Sequence, residues 1–419
     1  MTVKKLPFRW VVLLLTVLVN LFVGGMNQSC MPSLYGEIIK DIPMTHAQWG
    51  TVWGIGSVAA MAFSLIGGMS ADWLGIRFVI GIATIFMGIF GIGRALTSNF
   101  LQLAVLMFCM GISNSFMMPN LTKSLGHWFP SSELGLANGI LIAGVCVGSG
   151  SALMLSGVYL SPLMGGWRRL IWLYGLISII IGIFWLCIMR EGQSSSHNPK
   201  EEFSFRKALS VVIRIKDMWL LMASRFCIFG ALIAVIGFLP ELLVSKGMRP
   251  NLAHLSSSLI YYANIIGVIA IPILSDRFGL RKIFIWPFSL LSAFLIVVLG
   301  LLDGIASLAL CALIGLLVGF IPLLMALPME MEGIGHSYFG TSIGLATGLG
   351  ALGSFVAPAI GGKIIDATGK GWCAFVFWGL LMAIGALFIL PMKETGSKIK
   401  ALSVIENPME WKEDIHGSA

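Results

Sequence analysis

The chain has 419 residues, of which 57% are hydrophobic and only 11% charged. About a quarter of a soluble protein is charged, so a water-soluble globule is excluded, and a mean hydropathy of +0.93 with 50 glycines is the composition of packed membrane helices. The net charge of +8 is no nucleic-acid signal, because the basic residues fall between apolar runs rather than on one water-exposed face.

The first apolar run, Trp10–Leu34, follows the basic start MTVKKLPFRW. A signal peptide shares that charge, but the run is too long and has no small-residue cleavage site, so a retained span is expected. Trp49–Met69, Phe78–Thr97, Leu101–Leu121, Leu134–Leu160 and Leu170–Met189 complete six spans. The polar stretch from Arg190 to Asp217 reads as a solvated linker. Six more spans follow: Met218–Leu239, Leu255–Leu274, Ile283–Leu302, Ile305–Leu327, Phe339–Ile360 and Trp372–Leu390. Each run is long enough to cross a bilayer with some tilt, and none alternates as a barrel strand would. The expected organisation is one bundle over 1–190, a linker over 191–217, a second bundle over 218–391 and a tail over 392–419. The seven cysteines lie in or beside apolar runs without a CxxC pair, and read as small packing residues rather than disulfides or metal ligands.

The basic residues set the expected orientation. With the N-terminus in the cytoplasm, 18 of the 27 fall on the cytoplasmic side, eight outside, and Arg225 within a span. Both termini then face the cytoplasm. The loop after span ten goes against the trend, carrying Glu330 and Glu332 without Lys or Arg.

The two halves repeat. Asp72, Gly75 and Arg77 after span two map onto Asp276, Gly279 and Arg281 after span eight at one offset of 204 residues. Gly135, Gly139 and Gly148 map onto Gly340, Gly344 and Gly353 at an offset of 205. Parallel repeats of this kind imply two six-helix bundles around a central pathway. In the repeated loop a carboxylate can meet a cation or a helix N-terminus, an arginine can reach helix-end carbonyls, and a glycine permits the turn. Such a loop can serve as a latch that holds in one state and releases in another.

Gly68, Asp72, Gly75 and Arg77 form GxxxDxxGxR, which resembles the signature of the major facilitator superfamily. The resemblance runs through the whole chain: twelve spans, the long middle loop and the degenerate second copy at Asp276–Lys282. It implies an all-α membrane protein of two pseudo-symmetric six-helix bundles, working by a rocker switch with alternating access. Two departures stand out. An arginine often linked with proton coupling in span four is replaced by Met107, and the glycine–proline pattern of antiporter-like members shows Gly144, Gly148 and Gly150 without the proline. The segment from Trp128 to Gly139 and the glycine-rich run from Gly348 to Gly369 loosely resemble carriers of small organic and inorganic anions.

Ionisable groups within spans are costly and default to functional candidates. Arg225, about two turns into span seven, is the one picked out here. Two readings stand for it: bidentate grip on an anionic substrate, or snorkelling and capping of neighbouring carbonyls. Asn27, Gln28, Asn114 and Asn264 are candidate solute-binding amides, equally serviceable as interhelical glue. Tyr261 and Tyr262 read first as interface anchors, and Glu37, Glu241, Asp303 and Asp366 as interface charges at outer ends. Asp72, Gly75, Arg77, Asp276, Gly279 and Arg281 are the gating candidates.

No nucleophile–base motif, metal-ligand spacing or Walker sequence is present, which argues against an enzyme or an ATP-driven pump. The expectation is a monomeric secondary carrier of a small anion in the cytoplasmic membrane. Its partners are the solute, the lipid bilayer and a coupling H+ or Na+, with no cofactor, no metal and no nucleic acid. The alternatives are an efflux carrier for a hydrophobic, drug-like compound and a non-transporting sensor on the same fold.

Overall fold

A computed structural model describes residues 6–190, 205–331, 334 and 339–396. Most of the expected linker and tail, together with Glu332 and Lys4, Lys5, Lys200, Lys398, Lys400 and Lys412, lies outside the described residues. Within them every regular element is helical, and eleven helices, or twelve with the bent one, are long and apolar enough to cross a membrane. They are α1 Phe8–Asp41, α2 His46–Leu74, α3 Ile76–Arg94, α4 Phe100–Trp128, α5 Glu133–Met164 and α6 Trp167–Ile188 in the first half. The second half holds α7 Lys216–Ser245, α8 Pro250–Phe278, α9 Lys282–Leu301, α10 Ala306–Glu330, α11 Phe339–Thr368 and α12 Gly371–Ile389. The bent one is α2, by 53°.

Several helices outrun their apolar stretches. α4 continues past Leu121 to Trp128, and α11 past Ile360 to Thr368. Backbone hydrogen bonding carries a helix beyond the hydrocarbon layer, and polar caps end it. Thr45 caps α2 in a reciprocal box with Gln48, and Asn99 accepts from the Gln102 amide at the start of α4. α1 widens to π-helical turns over Val19–Asn27. The linker region is not wholly irregular: a short helix, Phe205–Arg214, packs on α7 and α11, with Val212 buried. Polar composition hid that amphipathic turn.

The packing repeats as the sequence does. α2 lies on α4 as α8 lies on α10, α3 on α6 as α9 on α12, and α1 on α5 as α7 on α11. The halves meet through α2 with α11 and α5 with α8, each pair exchanging equivalent helices. Small residues allow this approach. A Cβ added at Gly50 or Gly54 would overlap the backbone of Pro358 or Phe355, and one at Gly362 the backbone of His46. Indole nitrogens also cross the boundary, Trp49 donating to the Gly237 carbonyl at 3.2 Å and Trp53 to that of Ile233 at 2.8 Å.

These contacts run from mid-helix to the ends remote from the linker. On the linker face Gly135 and Gly139 of α5 and Gly344 of α11 would meet nothing within 4 Å if they carried a Cβ. The far face is therefore sealed and the linker face parted. A large apolar groove between α2, α3 and α4 is lined by Trp73, Phe78, Phe86 and Phe116, and the exposure of the first three suits a lipid-facing surface.

Candidate functional site

Arg225 reaches inward from α7, where its neighbours are small or aromatic. Its side chain is 1% exposed. Nη2 donates to Thr347 Oγ1 of α11 at 3.3 Å, the guanidinium carbon stands 5.4 Å from the centre of the Phe229 ring, and Gly350 lies against its stem. Nε and Nη1 are buried without a partner, and no carboxylate pairs with the group among the described residues. A buried cation left so poorly compensated is costly. It is also a ready receptor, since guanidinium offers a planar fork of donors to an oxyanion.

The four amides have separate surroundings, and none lies within hydrogen-bonding distance of Arg225. Asn114 carries a buried Oδ1 with no partner. Gln28 is half-buried on α1. Asn264 donates to the Gly315 carbonyl at 3.1 Å, tying α8 to α10. Asn27 is spent inside the first half: its Nδ2 donates to the Met87 carbonyl at 3.3 Å and Ser178 Oγ at 3.2 Å, and its Oδ1 accepts from Arg94 at 2.6 Å. The Arg94 Nη2 also reaches the Asn27 carbonyl at 2.9 Å.

Arg94 corrects the charge tally. Its place at the end of the third apolar run counts it among the outer charges, yet it is wholly buried. Its Nη1 lies 3.7 Å from Met107 Sδ, so α3 brings a guanidinium to the very position on α4 where the expected arginine is absent. Replacing Asn27 by Leu strips that cation of its side-chain acceptor and leaves it the Asn27 main-chain carbonyl. The expected cost is about 1.5–3 kcal/mol, that of one hydrogen bond to a charged group, read as a lower thermal midpoint of the purified protein. An unchanged midpoint with weakened solute binding would instead make Asn27 a solute ligand.

Tyr261 and Tyr262 stand in the seam between the halves instead of at the lipid interface. Tyr262 shares a hydrogen bond with Ser151 at 3.1 Å and lies against Gly150. Tyr261 is engaged with Ser29 and Ser149. His254 Nδ1 meets the Leu153 carbonyl at 3.1 Å, closing the same α5–α8 contact nearer the far face.

The repeated loops act within their halves. Gly75 turns the chain at φ 83°, a conformation natural to glycine, and Gly279 does the same at φ 67°. Asp72 pairs with Lys123 of α4, and Arg77 donates through Nε to the Leu186 carbonyl of α6 at 2.8 Å. In the second copy Arg281 pairs with Asp276 of α8 and, at 2.9 Å, with Glu330 of α10, while its backbone amide donates to Glu394 at 2.6 Å. Glu330, unplaced by the charge rule, is thus the counter-ion of Arg281.

The far-face seal ends in a charged cluster. His46 opens α2, Glu241 lies near the end of α7 and Asp366 near the end of α11. His46 Nδ1 is 2.8 Å from Asp366 Oδ1 and Nε2 is 3.0 Å from Glu241 Oε1. The backbone amides of His46 and Ala47 also donate to the Asp366 carboxylate at 2.9 and 3.0 Å. Glu241 and Asp366, read from sequence as separate interface charges, here clasp the first half to the second.

Comparison with known proteins places these features. The sequence profile described as Major Facilitator Superfamily matches residues 16–350. A probable sulfoacetate transporter of Cupriavidus necator is 25% identical, covering 85% of this chain and 88% of its own. The hexuronate transporter of Bacillus subtilis is 22% identical over 95% of this chain and 99% of its own, and a probable nitrate transporter of Staphylococcus aureus 28% identical over 90% and 95%. Among solved structures, an inward-facing, occupied bacterial homologue of the human lysosomal transporter Spinster superposes with a TM-score of 0.71 at 16% identity. The match covers 91% of this chain and 95% of that one.

Proposed function

Because the chain belongs to the Major Facilitator Superfamily, we propose that it carries a small organic or inorganic anion across a membrane by alternating access, with Arg225 as the anion's main contact. One observation carries the assignment of the site: a buried guanidinium with two nitrogens unpartnered and no carboxylate beside it. Sulfoacetate, hexuronate and nitrate, named for three relatives, are all anions. Such a solute would supply the countercharge this cation lacks, with the Thr347 hydroxyl as a second donor. Asn114 and Gln28 are the amides with capacity left to complete the cage.

The halves over 1–190 and 218–391 are the bodies that rock, joined by the linker over 191–217. The distribution of Lys and Arg supports placing the linker face in the cytoplasm. The structure is then the inward-facing state, and a single chain holds the whole pathway. A thermal-shift screen of carboxylates, sulfonates and nitrate, with sugars and cations as controls, tests the substrate class. A ligand at a hundred times its Kd stabilises by about 2.7 kcal/mol. Stabilisation by neutral sugars alone, with no response to any anion, would overturn the reading.

The loop latch gives a second test. The Asp72–Lys123 pair is well exposed, so Asp72→Asn is expected to change stability by no more than about 1 kcal/mol. It is nevertheless expected to slow uptake into proteoliposomes and bias the carrier toward the linker-open state, because the pair orders the α2–α3 turn that must re-engage when that face closes. Wild-type rates, with unaltered labelling from the linker face, would show the loop to be a static staple.

A further inference from the structure

The chemistry of the far-face clasp fixes its protonation. Carboxylate oxygens only accept hydrogen bonds when ionised, and a neutral imidazole has one donor and one acceptor nitrogen. His46 places both ring nitrogens against carboxylate oxygens, at 2.8 and 3.0 Å. Only the imidazolium donates both bonds. Loss of its proton would turn a lone pair toward a carboxylate and leave Glu241 and Asp366 as two anions with no cation between them.

The clasp crosses the boundary between the halves, since His46 belongs to α2 while Glu241 and Asp366 belong to α7 and α11. All three lie beyond the apolar runs Trp49–Met69, Met218–Leu239 and Phe339–Ile360. A cavity of about 150 Å³ lined by His46, Glu241, Ser245 and Gly369 adjoins it, and the side chains of His46, Glu241 and Asp366 remain 29%, 25% and 30% exposed. A proton can therefore arrive from the far-side solution. The other ionisable groups nearby are accounted for. Tyr35 of α1 stacks on the His46 ring at 6.3 Å, and its hydroxyl, a neutral donor, lies beside Glu241. Glu37 of α1 is turned onto Ser161 and Trp167, and Asp41 onto Trp167 and Arg168. Lys40, Lys363 and Lys370 are exposed and form no ion pair with the cluster.

We propose that His46, Glu241 and Asp366 form a proton-binding site that ties protonation from the far-side solution to closure of the far face. The proton bound to His46 completes the clasp, and it returns to the same solution when the halves part. Proton binding and closure thus favour one another. The sign follows from the two states. In the parted state His46 faces water and titrates near ~6.5. The clasped state, which needs the proton, therefore has its full advantage below that pH and loses it as pH rises. This inference rests on alternating access but not on Arg225 or on any particular anion.

The test uses the full chain with its native cysteines replaced, spin-labelled at Leu163→Cys and Ile305→Cys. These are exposed far-face positions in the two halves, 79% and 75% accessible. Electron–electron distance measurement between pH 5.5 and 9, without solute, gives the closed-to-open ratio. The ratio is expected to fall with rising pH above ~6.5, by at most tenfold per pH unit for a single proton. His46→Gln, which donates to only one carboxylate, should be more open at pH 5.5 and change less than about twofold across the range. Glu241→Gln should shift the transition toward ~6.5, because one anionic partner is gone. A wild-type ratio that does not change with pH, or a His46→Gln chain that keeps the wild-type dependence, overturns the proposal. Failure of anion binding at Arg225 leaves these readings unaffected, so the two ideas fail separately.

Discussion

Arg225→Ala is expected to abolish anion-induced thermal stabilisation while leaving the empty carrier at least as stable as the wild type. The two halves of that expectation have different causes. Removing one member of a buried, hydrogen-bonded charge pair costs about 2–5 kcal/mol, which corresponds to roughly 30- to 4,000-fold in Kd. In the empty carrier the guanidinium has only the 3.3 Å bond to Thr347, so its removal relieves an uncompensated burial. Arg225→Lys keeps the charge but not the fork, and should bind with intermediate affinity. Isothermal titration with the best anion of the screen, alongside thermal unfolding without ligand, separates the outcomes. A destabilised variant that still binds the anion would make Arg225 a packing residue of the α7–α11 contact.

Gly50→Val is expected to hold the carrier open on the far face and to stop transport without preventing folding. A Cβ at that position collides with the carbonyl of Pro358 and the amide of Ala359, which are backbone atoms that cannot rotate aside. Overpacking of this kind costs about 1–3 kcal/mol. That cost applies only when α2 and α11 are pressed together, so it falls on the closed far face and not on the open one. The closed-to-open ratio should drop roughly 5- to 150-fold. Alkylation of Ser151→Cys, placed in the α5–α8 seam, reads the change directly. Faster labelling from the far side with loss of uptake is the expected pair of results. Wild-type labelling with intact uptake would mean that the contact is not squeezed during the cycle.

The helices were legible in the sequence because hydrocarbon demands long apolar runs, and the duplication was legible because its spacing is nearly constant. Arg225 was visible for the same reason, as a charge where charges are expensive. Other parts were hidden by distance along the chain. His46, Glu241 and Asp366 are 195 and 320 positions apart in their pairings, and each alone looks like an ordinary interface charge. Arg94 was misplaced because depth was inferred from the edge of an apolar run. Its actual depth is set by Asn27, whose two oxygens receive it from a neighbouring helix. Asn27 shows the converse: a mid-membrane amide looks free in one dimension and is fully engaged in three. The double role of the repeated loop was also only half readable, since its partners Lys123 and Glu330 lie on α4 and α10, outside the motif.

The two loop clusters use opposite polarity. In the first half a carboxylate on α2 is met by a lysine on α4, whereas in the second an arginine after α8 is met by a glutamate on α10. Duplicated units that began alike have thus become asymmetric complements. Grafting the α4 end into the place of the α10 end would set lysine against arginine, so neither half can any longer stand in for the other. The same divergence lets selection tune the strength of each fastening independently, and with it the time the carrier spends facing either side.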